Sequence, residues 1–446
     1  TLHHLPAELA VRTYKAYGNS AIELLYDDPY LLMDDGLDAP FGAVDHFAIE
    51  LGVDGNDPKR LEAGIIFELR YNLSAGHSFL PTDKLIDATA QLLSVETSVV
   101  SDAIARLIEV HRLVNEELAN ISVIYLPEIY QAEIYCAHRL QIAAMNRFAI
   151  PKNLVSIIHQ SEVDQSVQYS EQQALALQQV ADTGLLLITG GPGTGKTTIL
   201  RGVLSVFKSI GLRCVLAAPT GRAAKRLAEV TGADASTIHR LLGAGIDPQS
   251  GKLVFGFDEG NPLKADAVIV DEMSMVDIPL LYALLQAVPA KARLIFVGDP
   301  DQLPPVGPGS PFSDMLRSNI LPSVRLTEIF RQAQESLIVT NAHRVNRGEM
   351  PVLRDVKHDF FFLPVRSEEA VGQTIAGLCT QRLPQDMGIP TDQIQVLSPT
   401  KRGGAGTIHL NALLQAQINP QSNAKKQKHA VPNVIQKKRK QKSLML

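Results

Sequence analysis

The chain has 446 residues, of which 45% are hydrophobic, and its 42 basic and 47 acidic side chains give a net charge of −5. This length allows roughly two to four domains that each bury a core. No apolar run reaches the roughly 18 residues that a membrane-spanning helix requires, and the first residues have neither the charged nor the apolar region of a signal peptide. We therefore expect a cytoplasmic protein without a membrane partner.

The charged residues are unevenly distributed along the chain. The segment 425–446 contains eight Lys or Arg residues and no acidic one, so the rest of the chain has a net charge near −13. An acidic body does not by itself attract nucleic acid, so any such contact must come from local sites. Cys136, Cys214 and Cys379 show no metal-ligand spacing, which argues against a disulfide framework or a zinc module.

Residues 1–165 carry the periodicity of short helices. Apolar residues recur at helical spacing over 9–17 and 43–51, and a glycine follows each run. Pro81 and Pro127 stand where further helices begin, a position at which the missing N–H does no harm. Longer helices are predicted over 59–75, 82–94, 98–110 and 127–145. The pattern predicts an all-α N-terminal domain.

Short β-type runs alternate with helical stretches from about residue 166 onward. Strands are predicted over 184–189, 213–218, 266–270 and 293–297. This alternation predicts an α/β lobe with a parallel sheet and crossover helices over 166–324. A further strand at 393–397, after a helix near 367–382, predicts a second, partial α/β lobe over 325–422. The Lys- and Gln-rich segment 423–446 has no apolar periodicity and is typical of a disordered tail.

A complete phosphate-binding loop occupies residues 190–197, between the apolar run 184–189 and an amphipathic stretch that begins at Thr198. Its glycines allow successive backbone N–H groups to face the β- and γ-phosphates at a helix N-terminus. Lys196 adds a mobile positive charge, and the Thr197 hydroxyl is a ligand for the Mg²⁺ ion that bridges the phosphates. The alternative is a glycine-rich turn that only connects a strand to a helix. The residues expected to hold the nucleotide are Gly191, Pro192, Gly193, Thr194, Gly195, Lys196, Thr197 and Thr198.

Two acidic residues follow a predicted buried strand. Asp271 and Glu272 come directly after the apolar run 267–270. The carboxyl ends of parallel strands share one edge of the sheet, so both side chains are expected near the phosphate loop. We predict that Asp271 holds Mg²⁺ and that Glu272 orients and deprotonates the attacking water. A solvated turn is the alternative.

Two further residues are candidates for contacts with the γ-phosphate. Gln302 lies in the polar segment 298–305, after the strand predicted at 293–297, where it can sense whether the γ-phosphate is present. Arg331 opens the second lobe, and a guanidinium brought across a cleft stabilises charge in the transition state. Taken alone, each has an ordinary alternative, a polar turn and a surface arginine. Their order after the loop and the acids favours the catalytic interpretation.

Taken together, these residues resemble a superfamily 1 DNA helicase of the RecD-like branch, the relatives of the exodeoxyribonuclease V α-subunit with an extended N-terminal region. The matching motifs are, in chain order, 169–173 (the Q motif), 190–197 (I), 218–226 (Ia), 236–242 (Ib), 271–275 (II), 298–305 (III), Arg331 (IV) and 396–403 in the second lobe. The resemblance implies two RecA-like lobes, the second one partial, and an adenine contact by Gln173. The DNA-binding residues that it implies are Pro219, Thr220, Arg222, His239 and Thr400.

Residues 1–165 resemble the N-terminal helix-hairpin-helix region of the same family, in segments such as 14–18 and 76–81. Hairpins of this kind present backbone N–H groups to phosphates and bind DNA without reading bases. We find none of the family's later second-lobe motifs after residue 410, and the similar wording ends near residue 420. The resemblance therefore implies a C-terminally truncated chain with a basic tail over 423–446.

Three functions are compatible with this sequence. The first is an ATP-dependent DNA helicase that moves 5′ to 3′ on single strands, as the family does, in DNA repair or recombination. We expect it to use ATP and Mg²⁺, to act as a monomer, and to bind single-stranded DNA and DNA junctions with a 5′ single-stranded end. The second is a truncated protein that binds nucleotide and DNA without coupled motor activity. The third is a relaxase-associated or nuclease-complex subunit, although the sequence offers no His-rich metal cluster or acidic nuclease triad.

Overall fold

The computed structural model describes residues 7–34, 36–247, 251–328, 335–353 and 359–419. The chain divides into two compact units, Thr1–Phe330 and Arg331–Leu446. No described helix is both long enough and apolar enough to pass through a bilayer. The domain boundaries that we predict after residues 165 and 324 lie within the first unit and stay predictions. The tail predicted over 423–446 lies outside the described residues.

Helices dominate the first part of the first unit, as the sequence predicts. They are α1 (Ala7–Tyr17), α2 (Ala21–Asp27), α3 (Phe41–Glu50), α4 (Pro58–Leu73), α5 (Thr82–Leu93), α6 (Thr97–Glu109), α7 (Pro127–Met145) and α8 (Leu154–Gln165). The start of α4 can be predicted from the sequence because two ordinary start signals occur there. The Asp57 carboxylate accepts a hydrogen bond from the Lys59 N–H at 2.8 Å, and Pro58 occupies the first turn. The ends of the four longer helices agree with prediction within two residues.

A small antiparallel sheet interrupts these helices. It contains β1 (Leu80–Pro81), β2 (Val114–Leu118) and β3 (Ile121–Tyr125), in the order β1-β3-β2. Ala119 and Asn120 close the β2–β3 hairpin with φ of 51° and 63°, as a tight two-residue turn requires. The sequence does not predict β2, because this strand contains Asn and Glu, which are depleted in strands. The predominance of helix is confirmed, and the sheet is an addition to the predicted all-α domain.

A buried ion pair joins α3 to α4 inside this helical part. The guanidinium of Arg60, which is 5% exposed, donates from Nε and Nη2 to the two carboxylate oxygens of Asp45 at 2.9 and 3.0 Å. Tyr30 donates to the same carboxylate at 2.7 Å, and the Arg60 Nη1 reaches the carbonyl of Leu93 at 3.2 Å. Because both charged groups are paired and hydrogen-bonded, the core tolerates them.

A second part of the first unit, called here the first lobe, is built on a parallel sheet. Its strands are β4 (Leu185–Gly190), β5 (Cys214–Ala218), β6 (Ala235–Thr237), β7 (Gly245–Ile246), β8 (Leu253–Val254), β9 (Ala267–Val270), β10 (Arg293–Gly298) and β11 (Ser323–Leu326). Six of them form one sheet in the order β11-β4-β10-β9-β5-β6, and every neighbouring pair is parallel, whereas β7 and β8 form a separate antiparallel pair. The four predicted strands correspond to β4, β5, β9 and β10.

Helices cover both faces of this sheet, which is why its central strands β4, β9 and β10 are buried along their whole length. These helices are α9 (Glu171–Asp182), α10 (Lys196–Ser209), α11 (Gly221–Thr231), α12 (Ile238–Leu241), α13 (Ile278–Ala287) and α14 (Pro311–Ser318). In register, Gly298 pairs with Thr189 and Phe296 pairs with Val270. The carboxyl ends of β4, β10 and β9 therefore meet at one edge. This edge carries the phosphate loop and the segments that follow Val270 and Gly298.

The described residues of the second unit are helical. They form α15 (Leu337–Asn346), α16 (Glu368–Gly377), α17 (Leu383–Asp386) and α18 (Thr407–Ile418), with a π-helical turn at Leu378–Arg382 between α16 and α17. The helix predicted near 367–382 is confirmed. The strand predicted at 393–397 is wrong, because a strand requires a ladder of backbone hydrogen bonds and no described segment of this unit forms one with it. Val396 instead packs in a small core with Cys379 and Leu410.

Candidate nucleotide-binding site

The phosphate loop connects β4 to α10 in the way its glycines dictate. Gly193 and Gly195 have φ of 76° and 78°, a left-handed conformation that costs a glycine almost nothing. At Gly190 the constraint is space rather than conformation, because a Cβ there would lie 2.5 Å from the Thr194 Oγ1. The loop thus turns sharply out of the sheet and leads directly into the first turn of α10 at Lys196.

Side chains of the loop hold its shape from inside. The buried Thr194 hydroxyl donates to the Gly191 carbonyl at 2.8 Å. The Lys196 ammonium donates to the carbonyls of Gly190 and Gly191, the latter at 3.0 Å, and lies 3.8 Å from a carboxylate oxygen of Asp299. The positive charge of Lys196 therefore lies inside the loop. Its present partners are carbonyl oxygens, which phosphate oxygens can replace.

The acids that follow β9 stand at the same edge. The Asp271 N–H donates to the Ala217 carbonyl on β5 at 3.0 Å, and its carboxylate accepts the Glu272 N–H at 2.9 Å. Burial and the neighbouring Glu272 charge raise the pKa of Asp271 to about 6, against the opposing effect of Lys196 and Arg226. A bound cation would relieve this penalty, so the site favours a metal ligand at this position.

Glu272 has a strained backbone. Its φ of 54° is left-handed, a conformation that costs a non-glycine residue about 1 kcal/mol or more. The strain turns the chain out of β9 into the short helical turn Met273–Met275 and leaves the Glu272 side chain in the cleft beside Asp271. Strain of this kind is typical of functional sites.

One cleft of about 440 Å³ joins these groups. Of the residues predicted to act on the nucleotide, it is lined by Gly191, Pro192, Gly193, Thr194, Gly195, Lys196, Thr197, Asp271, Glu272 and Gln302. Thr197 and Asp271 supply the hard oxygen ligands that Mg²⁺ prefers, so the predicted metal ligands fit that ion. Thr198 lies in the first turn of α10 and is not among the lining residues, and Arg331 lies outside the described residues. The individual roles stay predictions.

Gln173 is buried behind the loop rather than exposed in the cleft. Its side chain forms a capping box with Ser170: the Ser170 N–H donates to the Gln173 Oε1 at 3.1 Å, and the Ser170 hydroxyl accepts the Gln173 N–H at 3.3 Å. The Gln173 Nε2 donates to the Gly195 carbonyl at 3.4 Å. The neighbouring Gln172 bonds Thr327 through both its amide atoms at 2.8 Å. The segment thus ties the loop and the end of β11 to α9, and an adenine contact by Gln173 stays a prediction.

Two charged residues that line the cleft, Asp299 and Arg226, are not among the predicted site residues. Asp299 is 2% exposed and directly follows β10. The rule that identifies Asp271 and Glu272, that parallel strands end at a common edge of the sheet, therefore also applies to Asp299. Arg226 lines the cleft together with Ala223, Leu227 and Val230 on one face of α11. Their helical spacing is visible in the sequence, but nothing in it shows that this face turns toward the phosphate loop.

Four of the five predicted DNA-binding residues follow the adjacent strands β5 and β6. Pro219 and Thr220 come directly after β5, and the Thr220 hydroxyl accepts the Ala223 N–H at 3.2 Å as the N-cap of α11. Arg222 and His239 are exposed. The structure therefore brings these four to the carboxyl edge of the sheet. Thr400 belongs to the second unit, where its hydroxyl donates to the Arg402 carbonyl at 3.1 Å.

Comparisons with known proteins agree with this geometry. Residues 173–308 match the family model described as an AAA domain, and residues 1–79 match the ATP-dependent RecD2 DNA helicase HHH domain. The ATP-dependent RecD2 DNA helicase of Deinococcus radiodurans is 34% identical over 92% of this chain and 56% of its own length. The RecBCD enzyme subunits RecD of Mycobacterium tuberculosis and Mycolicibacterium smegmatis are 32% and 38% identical over 56% and 33% of this chain and 49% and 30% of their own lengths.

The chain thus spans about half the length, or less, of these relatives. The two family models cover different parts of it, one in the helical region and one on the parallel sheet that carries the cleft. On these matches and on the order of its motifs, the chain is similar to the RecD-like helicases, with 92% of it aligned to the RecD2 relative.

Proposed function

We propose that this chain binds ATP in the cleft at the carboxyl edge of the first lobe and hydrolyses it to drive movement along single-stranded DNA. One observation carries the proposal: loop residues 191–197 share a single cleft with Asp271, Glu272 and Gln302. A loop that binds phosphates, a carboxylate placed for a metal, a second carboxylate and a side-chain amide are the parts that phosphoryl transfer to water requires.

Binding rests on the loop and on Lys196. The N–H groups at the start of α10 favour an anion, both through hydrogen bonds and through the partial positive charge of the helix N-terminus. Lys196 exchanges its carbonyl partners for phosphate oxygens. Thr197 and Asp271 would hold a Mg²⁺ ion, which neutralises phosphate charge when bound.

Hydrolysis requires a base for the attacking water. Glu272 is the candidate because it lies in the cleft beside Asp271 and its strained backbone fixes the direction of its side chain. Asp271 cannot serve both as metal ligand and as base, so the two acids divide these tasks. Gln302 lines the same cleft and is exposed, which suits a contact that forms only with the γ-phosphate.

The DNA partner is proposed from residues beside the cleft, of which Arg222 and His239 are exposed. Thr220, Arg222 and His239 lie at the edge that also carries the cleft, so a strand bound there is near the nucleotide. An arginine contacts phosphates of any sequence, and the binding should therefore weaken steeply with salt. We further propose 5′ to 3′ movement, junctions with a 5′ single-stranded end as substrates, a monomeric state and a role in repair or recombination, following the family.

ATP hydrolysis by the full chain, measured with and without single-stranded DNA, tests the proposal. The wild-type chain should hydrolyse ATP faster when DNA is added, and Lys196→Ala should abolish this hydrolysis while leaving the fold intact by circular dichroism. Unwinding of duplexes with a 5′ or a 3′ single-stranded tail then tests the direction. Equal rates for the wild-type chain and Lys196→Ala would overturn the proposal.

A second candidate is a protein that binds nucleotide and DNA without motor activity. The described part of the second unit favours it, because these residues contain helices and no strand, whereas a motor needs a second lobe that closes on the nucleotide. This candidate predicts nucleotide and DNA binding with no displacement of a labelled strand at any ATP concentration.

A further inference from the structure

The segment that carries Gln302 is held at both ends. It runs from β10 to α14, and its first turn is closed by Asp299, whose carboxylate accepts the Asp301 N–H at 3.1 Å and whose carbonyl accepts the Gln302 N–H at 3.1 Å. We call residues 303–310, which follow this turn, the sensor arm. The position of Gln302 depends on where the sensor arm is anchored.

The inner anchor of the sensor arm is the start of α13. The Ile278 N–H donates to the Pro308 carbonyl at 3.0 Å. Gly307 packs so closely on Asp277 that a Cβ on it would lie 1.9 Å from the carboxylate, and a Cβ on Gly309 would lie 2.5 Å from Ile278. Both glycines are therefore required by close approach, and the sensor arm cannot slide along α13.

The outer anchor of the sensor arm is a turn of the helical part of the first unit. The Gly309 N–H donates to the Gly76 carbonyl at 3.1 Å. Gly76 has a φ of +98°, and a Cβ on it would lie 3.9 and 4.0 Å from the carbonyls of Gly307 and Pro305. Gly76 begins the segment 76–81, which resembles part of the family's helix-hairpin-helix region. Its carbonyl faces the sensor arm because the glycine adopts a conformation that other residues avoid.

The turn at Gly76 is itself fixed to the first lobe. Glu133 on α7 is half-buried, and this desolvation raises the pKa of its carboxyl, whereas hydrogen bonds from Ser78 and Tyr125 oppose the rise. The Tyr125 hydroxyl lies 3.2 Å from the Glu133 carboxylate. Farther along α7, Arg139 donates to the Val288 carbonyl at the end of α13 at 2.8 Å. The helix α7 thus links the turn and α13, the two anchors of the sensor arm.

We propose that Gly76 is a positioning residue for ATP hydrolysis: its carbonyl holds the sensor arm, and through it Gln302, in register with the phosphate loop. The inference rests on the proposed function. It assigns the segment 76–81 a contact with the nucleotide-sensing segment. Since Gly76 touches neither the phosphate loop nor Lys196, its loss should lower kcat and leave the KM for ATP unchanged.

The test is Gly76→Val, with Gly52→Val as the matched control. Gly52 also lies in the helical part, has a φ of +91°, and has no atom within 4 Å of the position of a Cβ. Both variants therefore carry backbone strain of the same kind, but only the side chain of Gly76→Val has atoms of the sensor arm beside it. We expect kcat to fall on the order of tenfold in Gly76→Val alone, because a misplacement of about 1 Å costs up to about 10²-fold. Equal kcat in the two variants, or a matching change in KM, would overturn the inference.

Hydrogen exchange provides a readout that does not depend on activity. In the wild-type chain the amide of Gly309 should be protected in a peptide covering 303–310, and Gly76→Val should lose this protection while Gly52→Val keeps it. Protection that is the same in all three proteins, or lost in both variants, refutes the contact. A wild-type chain that hydrolyses ATP no faster than Lys196→Ala overturns the proposed function, and the exchange comparison still decides whether the turn holds the sensor arm.

Discussion

Replacing Asp271 by Asn should stabilise the protein in the absence of metal and nucleotide while it removes the metal ligand. Burial and the Glu272 charge raise the pKa of Asp271 from 3.8 to about 6. Between these pH values the folded protein binds more protons than the unfolded chain. The contribution of Asp271 to stability is therefore largest below pH 3.8 and is lost as the pH rises through about 6.

The magnitude follows from the size of that pKa difference. A rise of about two units in the pKa of one carboxyl corresponds to about 3 kcal/mol. Ionised Asp271 therefore lowers the free energy of unfolding by about this amount above pH 6, relative to pH values below 3.8. Asparagine keeps the oxygen that accepts the Glu272 N–H and carries no charge. Asp271→Asn should thus be more stable than the wild-type chain by about 3 kcal/mol at pH 8, a gain in Tm on the order of 5 °C. Near pH 4 the gain should vanish.

The assay is thermal and urea unfolding at several pH values, in EDTA and without nucleotide. Asp266→Asn is the matched control at the opposite end of the same strand, because hydrogen bonds from Arg213 lower the pKa of Asp266 to about 2. Removing that charge should give no gain at pH 8. If Asp271→Asn is no more stable than the wild-type chain at pH 8, or if its gain does not shrink toward pH 4, then Asp271 is not a desolvated carboxylate and the reasoning fails.

Three further predictions concern the base, the core and the DNA edge. Glu272→Gln should keep the affinity for a fluorescent ATP analogue and lose hydrolysis by about 10²-fold or more, as removal of a general base does; comparable turnover would exclude Glu272 as the base. Asp45→Ala should lower the free energy of unfolding in urea by about 3–5 kcal/mol, because it leaves Arg60 buried and unpaired; a loss below about 1 kcal/mol, typical of an exposed pair, would contradict this. Arg222→Ala should weaken single-stranded DNA binding and reduce its salt slope by about one, whereas Lys225→Ala, on the same helix but outside the predicted DNA-binding residues, should change neither.

The parts of the site that could be predicted are those set by short spacing along the chain. The phosphate loop is contiguous, so its glycines, Lys196 and Thr197 are recognisable before any fold is known. Asp271 and Glu272 needed one additional rule, that parallel strands end at a common edge, and the cleft contains both. The same rule also points to Asp299, which follows β10 in the same way.

The parts that could not be predicted depend on contacts between distant segments. The order of the six strands places β11 beside β4, and no local pattern in Ser323–Leu326 shows this neighbour. Arg226 reaches the cleft only because α11 packs with one particular face toward the loop. The error at 393–397 arises from relying on a local pattern alone. The run has the propensity for a strand, but a strand also needs a neighbouring strand to pair with, which propensity does not provide. The bond between Gly76 and Gly309 joins segments 233 positions apart and has no sequence signal.

The way the Lys196 ammonium is held in the loop has a consequence for selectivity. Two carbonyls and the nearby Asp299 carboxylate already satisfy most of its hydrogen-bonding capacity and offset its charge. A lone anion such as inorganic phosphate gains little by competing for a cation with such partners. A triphosphate gains more, since it also engages the amides along the loop and arrives with a metal that Asp271 can ligate. Within the proposed function, we therefore expect this arrangement of Lys196 to favour polyphosphates over single phosphates.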